Sequence, residues 1–216
     1  MNPRVWIASG IVILLVLGGW GGYVLISGML ASEEAPPPDL RGTFMVRFEE
    51  ETATVSERAF ITDQTTHSFQ YSISAIEGWA IGSVQVSVHF SETDESGLGF
   101  CDDVSAQLEL AEVDGGPQIG GQHEGASNSC NDELPQIVLY ADVNPEYDGQ
   151  DYAAENVLVE EIDERWQNGA KGIGTYVNDV TVSINTFYDI TESGEEVEVT
   201  WTAISYRWVI ETATDE

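Results

Sequence analysis

Basic residues are scarce in this chain. Only 7 Lys and Arg stand against 38 Asp and Glu among 216 residues, and Lys171 is the single lysine. The formal net charge of −31 repels phosphate, which excludes binding of nucleic acid or anionic lipid through a basic patch. Two cysteines exclude a disulfide-rich scaffold and a four-cysteine zinc site. The 42% of hydrophobic residues is too high for a disordered acidic chain.

Catalytic motifs are also missing. The chain contains only three histidines, His67, His89 and His123, and none has a metal-ligating partner at motif spacing. No Gly-x-Ser-x-Gly elbow occurs, so a Ser-His-Asp mechanism has no presented nucleophile. Carboxylate pairs for glycoside hydrolysis stay open, because spacing in the sequence does not give their distance in space. We therefore predict a noncatalytic protein.

The strongest positive signal is at the N-terminus. Val5–Ser32 contains no charged residue over 28 positions, more than the ~20 that a helix needs to cross a bilayer. Arg4 precedes this run, whereas Glu33 and Glu34 follow it, which predicts a cytoplasmic N-terminus and an extracytoplasmic remainder at the cell membrane. A cleaved signal peptide and a prepilin-type helix are the alternatives. The run is longer than a signal-peptide core, and no prepilin processing site precedes it.

The predicted organisation has three parts. Residues 1–32 are a cytoplasmic stub and transmembrane helix, in which Gly18-x-x-x-Gly22 has the small-residue spacing that allows two such helices to pack. Residues 33–41 are an acidic linker that three consecutive prolines favour as extended polyproline II. Residues 42–216 are the extracytoplasmic domain.

This domain is predicted to be mainly β. Apolar residues alternate with polar ones at the period of half-buried strands, in the segments Phe44–Phe48, Phe69–Ile73, Val84–Phe90, Val104–Leu110, Ile137–Ala141, Val180–Thr186 and Val197–Ile210. Seven or more antiparallel strands indicate a sandwich, either a jelly roll or an immunoglobulin-like fold, because two half-apolar sheets must cover each other.

Three details refine that prediction. In the last strand the apolar set shifts from odd positions, Val197–Ala203, to even ones, Ile204–Ile210, which indicates a β-bulge. The turn residues Thr191–Glu195 predict a hairpin of the last two strands. Asp151–Asn168 has helical apolar spacing, so we expect one amphipathic helix, packed on the sandwich or offered to a partner.

Cys101 and Cys130 are predicted to form a disulfide. In a domain outside the cytoplasm two lone cysteines usually pair, and they lack the close spacing and nearby histidine of a metal or redox pair. The bond would close a 30-residue loop and stabilise by about 3 to 4 kcal/mol on the chain-entropy model.

Two further candidate sites come from residue type alone. Clustered oxygen ligands suggest structural calcium, at Asp142, Asn144, Glu146, Asp148 and Asp151, or at Asp102 and Asp103. The first cluster departs from an EF-hand, because Pro145 interrupts it and no Glu stands at the twelfth place. A second hypothesis is a sugar-stacking platform of Trp201, Tyr206 and Trp208, for which burial in the core is the alternative.

Several stretches resemble known accessory domains. Gly78–Phe90, Asp103–Leu110 and Gly172–Val177 before a final strand pair look like the jelly-roll domains of the pre-peptidase C-terminal and proprotein-convertase P-domain type. The resemblance implies a galactose-binding-like sandwich that serves as a noncatalytic appendage, sometimes with calcium. It carries over no functional residue.

Together these features predict a single-pass membrane protein with a noncatalytic binding or interaction module outside. Acid enrichment with almost no lysine is typical of salt-adapted surfaces, because concentrated salt screens the self-repulsion. The expected partners are the bilayer and another membrane or surface protein, or a second copy of the chain. Calcium binding, glycan binding and a pilin-like surface subunit are the alternative functions.

Overall fold

The computed structural model of the chain describes residues 41–91, 102–128, 136–185 and 193–212. Over these ranges the fold is mainly β, as predicted. The elements are β1 (Gly42–Thr62), β2 (Thr65–Ile73), β3 (Ala80–Ser91), β4 (Asp103–Val113), β5 (Gly120–Gln122), β6 (Glu124–Asn128), β7 (Gln136–Asp142), β8 (Tyr152–Val157), α1 (Val159–Trp166), β9 (Gly174–Ser183) and β10 (Gly194–Thr212).

Four strand pairs are nested along the sequence, so that each later pair lies between the two strands of the pair before it. β1 pairs with β10, β2 with β9, β3 with β7 and β4 with β6, all antiparallel. These pairs lie alternately in two sheets, with strand orders β5-β7-β3-β10-β1-β8 and β2-β9-β4-β6. β9 and β10 therefore lie in different sheets, and the predicted hairpin around Thr191–Glu195 is wrong. Turn residues indicate that a strand ends there, but not which strand the next one pairs with.

The main core lies between the two sheets. Its apolar side chains come from every second residue of the facing strands, so the predicted period of two is confirmed. Val84, Val86 and Val88 on β3 are fully buried, as are Trp201 on β10 and Tyr176 on β9. Burial of these large side chains is what holds the two sheets face to face.

A second core lies on the opposite face of the larger sheet, where α1 packs. Phe44, Val46 and Tyr206 contribute from the strands, and Ile162 and Trp166, one helical turn apart, contribute from α1. The helix is shorter than predicted. The first part of the predicted segment, Tyr152–Val157, is β8, because it pairs with the start of β1.

The two cores explain the change of parity in β10. Its register with β1 runs without a shift, so the odd-numbered Trp201 and the even-numbered Tyr206 face opposite sides of the sheet. Trp201 packs in the main core and Tyr206 in the second. The register with β3 does shift at Ile204/Ser205, but the extra residue is Gly82 on β3. The predicted bulge in the last strand is therefore wrong, and the bulge lies in β3. The parity of the apolar residues changes because one face of β10 packs in the main core and the other face, further along the strand, packs in the second core.

The ends of α1 satisfy its free backbone groups. The Glu161 carboxylate accepts a hydrogen bond from the Leu158 backbone N–H at 3.1 Å. Acidic residues occupy the first turn and Arg165 the last, which complements the helix dipole. Within the described ranges no helix has the length and hydropathy for a membrane span. The predicted span Val5–Ser32 lies outside those ranges.

Candidate functional site

The first predicted calcium segment uses its oxygen atoms in hydrogen bonds to neighbouring elements. The Asn144 side-chain amide donates to the Tyr206 hydroxyl at 2.5 Å, and its Oδ1 accepts from the Glu146 backbone N–H at 3.2 Å. The Glu146 carboxylate accepts from Arg165 on α1 at 3.0 Å. Asn144 and Glu146 therefore fasten this loop to β10 and to α1.

Two further members of that segment also accept hydrogen bonds from the backbone. Asp148 accepts from the Gln150 backbone N–H at 3.0 Å, and Asp151 accepts from the Phe48 backbone N–H at 2.9 Å. Asp142 is the last residue of β7. In the part of the chain that the structure describes, no three His, Cys, Asp or Glu side chains are grouped as metal ligands.

Asp102 and Asp103, the second calcium candidate, join β4 to the end of β9. Asp102 is buried, and its Oδ1 accepts from the Asn185 backbone N–H at 2.8 Å. Asp103 accepts from the Asn128 amide at 2.8 Å and from the Asn185 amide at 3.0 Å. The neighbouring Cys101 and Cys130 lie outside the described residues, as do Gly18 and Gly22.

The predicted sugar-stacking platform is wrong for two of its three members. Trp201 and Tyr206 are 0% exposed, one in each core, so neither can meet a ligand ring. Trp208 is half-buried, and its indole N–H donates to Asp163 of α1 at 2.7 Å. These aromatic residues hold the sheets and α1 together.

Tyr206 is the centre of the second core. Its hydroxyl accepts from Asn144 and donates to the Trp166 carbonyl at 3.0 Å. Burial raises the pKa of Tyr206, the hydrogen bond from Asn144 lowers it, and nearby Glu146 raises it, with burial the largest effect. Tyr147 stacks on Tyr206 with ring centroids 4.0 Å apart. The protonated hydroxyl thus links β10, the Asn144 loop and α1.

A polar groove crosses the outer face of the smaller sheet. It has a volume of about 580 Å³, which is within the usual range for ligand pockets. Its lining residues are Thr66, Ser105, Ala106, Gln107, Glu124, Gly125, Ala126, Asp179 and Thr181. Most of these residues could be found from the sequence, since they are the polar positions that alternate with buried ones. Which strands lie side by side could not be deduced from that alternation.

The outer edge of β1 is a second surface of interest. β8 covers this edge only from Gly42 to Val46. From Arg47 to Thr62 the described residues contain no strand beyond β1, and both faces of Glu49–Arg58 are exposed. Because the Phe48 N–H points outward to Asp151, the N–H groups of alternate residues beyond it point outward as well.

Comparisons with known proteins give no family. No family model matches the chain, and no curated protein matches it. Among solved structures, the chain is similar to one from Desmodium yellow mottle tymovirus, with 8% identity and a TM-score of 0.31 over 76% of this chain and 93% of that one. A similarity this low carries no argument about function.

Proposed function

We propose that the chain is a single-pass membrane protein whose sandwich domain lies outside the cytoplasm and binds another protein there without catalysis. The uncharged run Val5–Ser32, with Arg4 before it and acids after it, supports the anchor and its orientation. β1 begins at Gly42, the residue that follows the Pro-rich segment 33–41 in the sequence.

The main support for this proposal is that most of the outer edge of β1 is not paired with another described strand. Sixteen residues, Arg47–Thr62, present strand backbone to the surface without a strand beyond them in the described part of the chain. Such an edge can accept an extended segment of another chain through main-chain hydrogen bonds. Val55 and Phe60 are 43% and 56% exposed along it and offer apolar contacts.

The partner we propose is an extended segment of a second membrane or surface protein. Glu49, Glu50, Glu51 and Glu57 are exposed along β1 and make its surface acidic. A segment that carries Lys or Arg would therefore complement it. A second copy of the chain is the alternative occupant of this edge. The mass of the captured protein distinguishes the two.

Proline substitution on the edge tests this proposal. Thr54→Pro removes an outward N–H while it leaves the β1–β10 pairing intact, whereas the control Thr54→Val keeps the N–H. Affinity capture of the full chain from membranes should recover a partner with the parent protein and with Thr54→Val, and lose it with Thr54→Pro. Equal recovery with all three proteins would refute edge binding.

The strand order supports the jelly-roll form of sandwich over the immunoglobulin-like form. Nested pairing of β1–β10, β2–β9, β3–β7 and β4–β6, alternating between sheets, is what results when one long antiparallel ribbon is rolled up. In this arrangement β5 and β8 are additions at the two edges of the larger sheet.

The register of β4 and β6 supports the Cys101–Cys130 disulfide. The residue numbers of each described pair, from Gln107 with Glu124 to Asp103 with Asn128, add up to 231. The numbers 101 and 130 give the same sum, so continuation of the register by two positions would place the cysteines opposite each other. Directly opposed residues have Cα separations that suit a disulfide, ~4.5 to 5.5 Å.

The charge distribution supports a salt-adapted surface. Among the described residues, the ion pairs Arg47–Glu211, Arg58–Glu198, Arg165–Glu146 and Arg207–Glu49 join side chains that are solvent-exposed. Exposed pairs of this kind contribute only ~0 to 1 kcal/mol each, and less in salt. Stability therefore rests on the two cores, and screening of the excess negative charge by concentrated salt favours the compact domain.

Glycan binding is a second candidate function. The observation that favours it is the polar groove on the smaller sheet, whose lining offers hydroxyl, amide and carboxylate groups. This groove lies in a different sheet from the β1 edge, so the two functions can be tested separately.

A further inference from the structure

Two rows of side chains cross the smaller sheet, and all of their residues except Ser68 line the groove. The strand registers place Thr66, Thr181, Ser105 and Ala126 in one row, and Ser68, Asp179, Gln107 and Glu124 in the next. The first row consists of small side chains and forms a shallow floor. The second supplies longer side chains at one side, so the groove runs across the strands.

Hydrogen bonds within the groove leave more acceptors than donors. Thr66 and Thr181 bond to each other through their hydroxyls at 2.7 Å. Ser68 donates to Oδ1 of Asp179 at 2.5 Å, so its donor is already used. Asp179 and Glu124 can only accept when ionised. A ligand that fits this lining must therefore bring hydrogen-bond donors.

Charge narrows the class of ligand further. Glu124 and Asp179, the ionisable residues among the described lining, are both acidic, and the whole chain is strongly negative. In molar salt the Debye length is ~3 Å, so repulsion persists only for groups in direct contact. A carboxylate or sulfate on a ligand within the groove would be in such contact, and would be excluded.

We infer that this groove binds a neutral saccharide through the hydroxyl groups of the sugar. The inference deepens the second candidate function and is independent of the β1 edge. Sugar hydroxyls donate to Asp179, Glu124 and the threonine oxygens, and they can accept from the amide of Gln107, which uses one N–H on Glu109 at 2.7 Å. None of the described residues that line the groove is aromatic, so specificity rests on hydrogen bonds.

Titration calorimetry of the full chain in detergent and molar salt tests the inference. The probes are cellohexaose, mannohexaose and chitohexaose as neutral sugars, and hexagalacturonate as the acidic one. We expect at least one neutral hexasaccharide to bind, and hexagalacturonate to bind at least tenfold more weakly than that sugar. Heat from no neutral sugar, or equal binding of the acidic one, would overturn the inference.

Substitutions locate the binding. Ala126 is exposed on the floor of the groove, so the larger side chain of Ala126→Tyr should occupy the groove and lower the affinity for the neutral sugar at least tenfold. Asp179→Asn keeps an acceptor for the Ser68 hydroxyl but removes the negative charge. It should therefore raise the affinity for hexagalacturonate at least threefold. Tyr140→Ala, on an exposed residue of the larger sheet, is the matched control and should change affinity less than twofold. Unchanged binding in Ala126→Tyr would place the sugar elsewhere and overturn the inference, without bearing on partner capture by β1.

Discussion

Asp103 lies directly opposite Asn128 in the β4–β6 ladder, and the Asn128 amide donates to the Asp103 carboxylate at 2.8 Å. β4 and β6 form the innermost of the four nested strand pairs. We expect Cys101 and Cys130, two positions further on, to be joined by a disulfide, which peptide mass mapping without reduction would detect.

Loss of that bond should lower stability. Cys101→Ser should reduce the free energy of unfolding by about 3 to 4 kcal/mol, since the expected bond would close a 30-residue loop. The double variant with Cys130→Ser should cost no more than the single one, because the bond is already lost. Two free thiols in protein recovered from the cell surface would contradict the pairing.

A second prediction concerns the Tyr206 hydroxyl. Tyr206→Phe should cost about 1 to 3 kcal/mol, because it leaves the Asn144 amide and the Trp166 carbonyl without this partner in a buried place. Trp208→Phe, which removes the half-buried indole bond to Asp163, should cost less. The midpoints of denaturant unfolding in molar salt measure the stability of both variants. A loss of stability in Trp208→Phe that equals or exceeds the loss in Tyr206→Phe would contradict this prediction.

A third prediction concerns Asn178 of β9. It is 0% exposed, and neither atom of its side-chain amide has a hydrogen-bond partner among the described residues. Asn178→Val should therefore raise stability by about 1 to 3 kcal/mol, because an apolar side chain carries no desolvation cost there. Asn144→Val, which breaks a bond to Tyr206, should lower it. A loss of stability in Asn178→Val would mean that another partner satisfies the amide.

A fourth prediction concerns alkaline pH. Burial raises the pKa of Tyr176, Tyr206 and Tyr147, and a hydrogen bond to Glu50 adds to the effect at Tyr147. The folded state therefore keeps these protons above pH ~10, where unfolded tyrosines ionise. Stability should be fully present below about pH 10 and fall as the pH rises beyond it. Unfolding midpoints measured from about pH 8 to about pH 12 test this.

The slope with which stability falls with pH shows whether these buried tyrosines cause the fall. Tyr176→Phe removes one of the buried hydroxyls and should make the loss of stability with pH less steep than in the parent protein. An unfolding midpoint that stays constant across the whole alkaline range would contradict the raised pKa values.

The sequence predicted the strands of the main core because alternation such as Val84-x-Val86-x-Val88 is local. It failed where the outcome depends on distant partners. Tyr152–Val157 has helical spacing but is a strand, since β1 lies beside it. Trp201 and Tyr206 could not be assigned to different cores, because the sequence does not show that α1 covers the far face of the larger sheet. The groove was missed because its two rows combine residues from four separate strands.

Site-specific photocrosslinking in whole cells can detect a protein that binds to the outer edge of β1. A photoreactive residue at position 54, on the outer edge, is compared with one at position 160, on the exposed side of α1. We expect a crosslink from position 54 to one membrane or surface protein and none from position 160. Equal crosslinking at both positions, or no adduct at position 54, would contradict it.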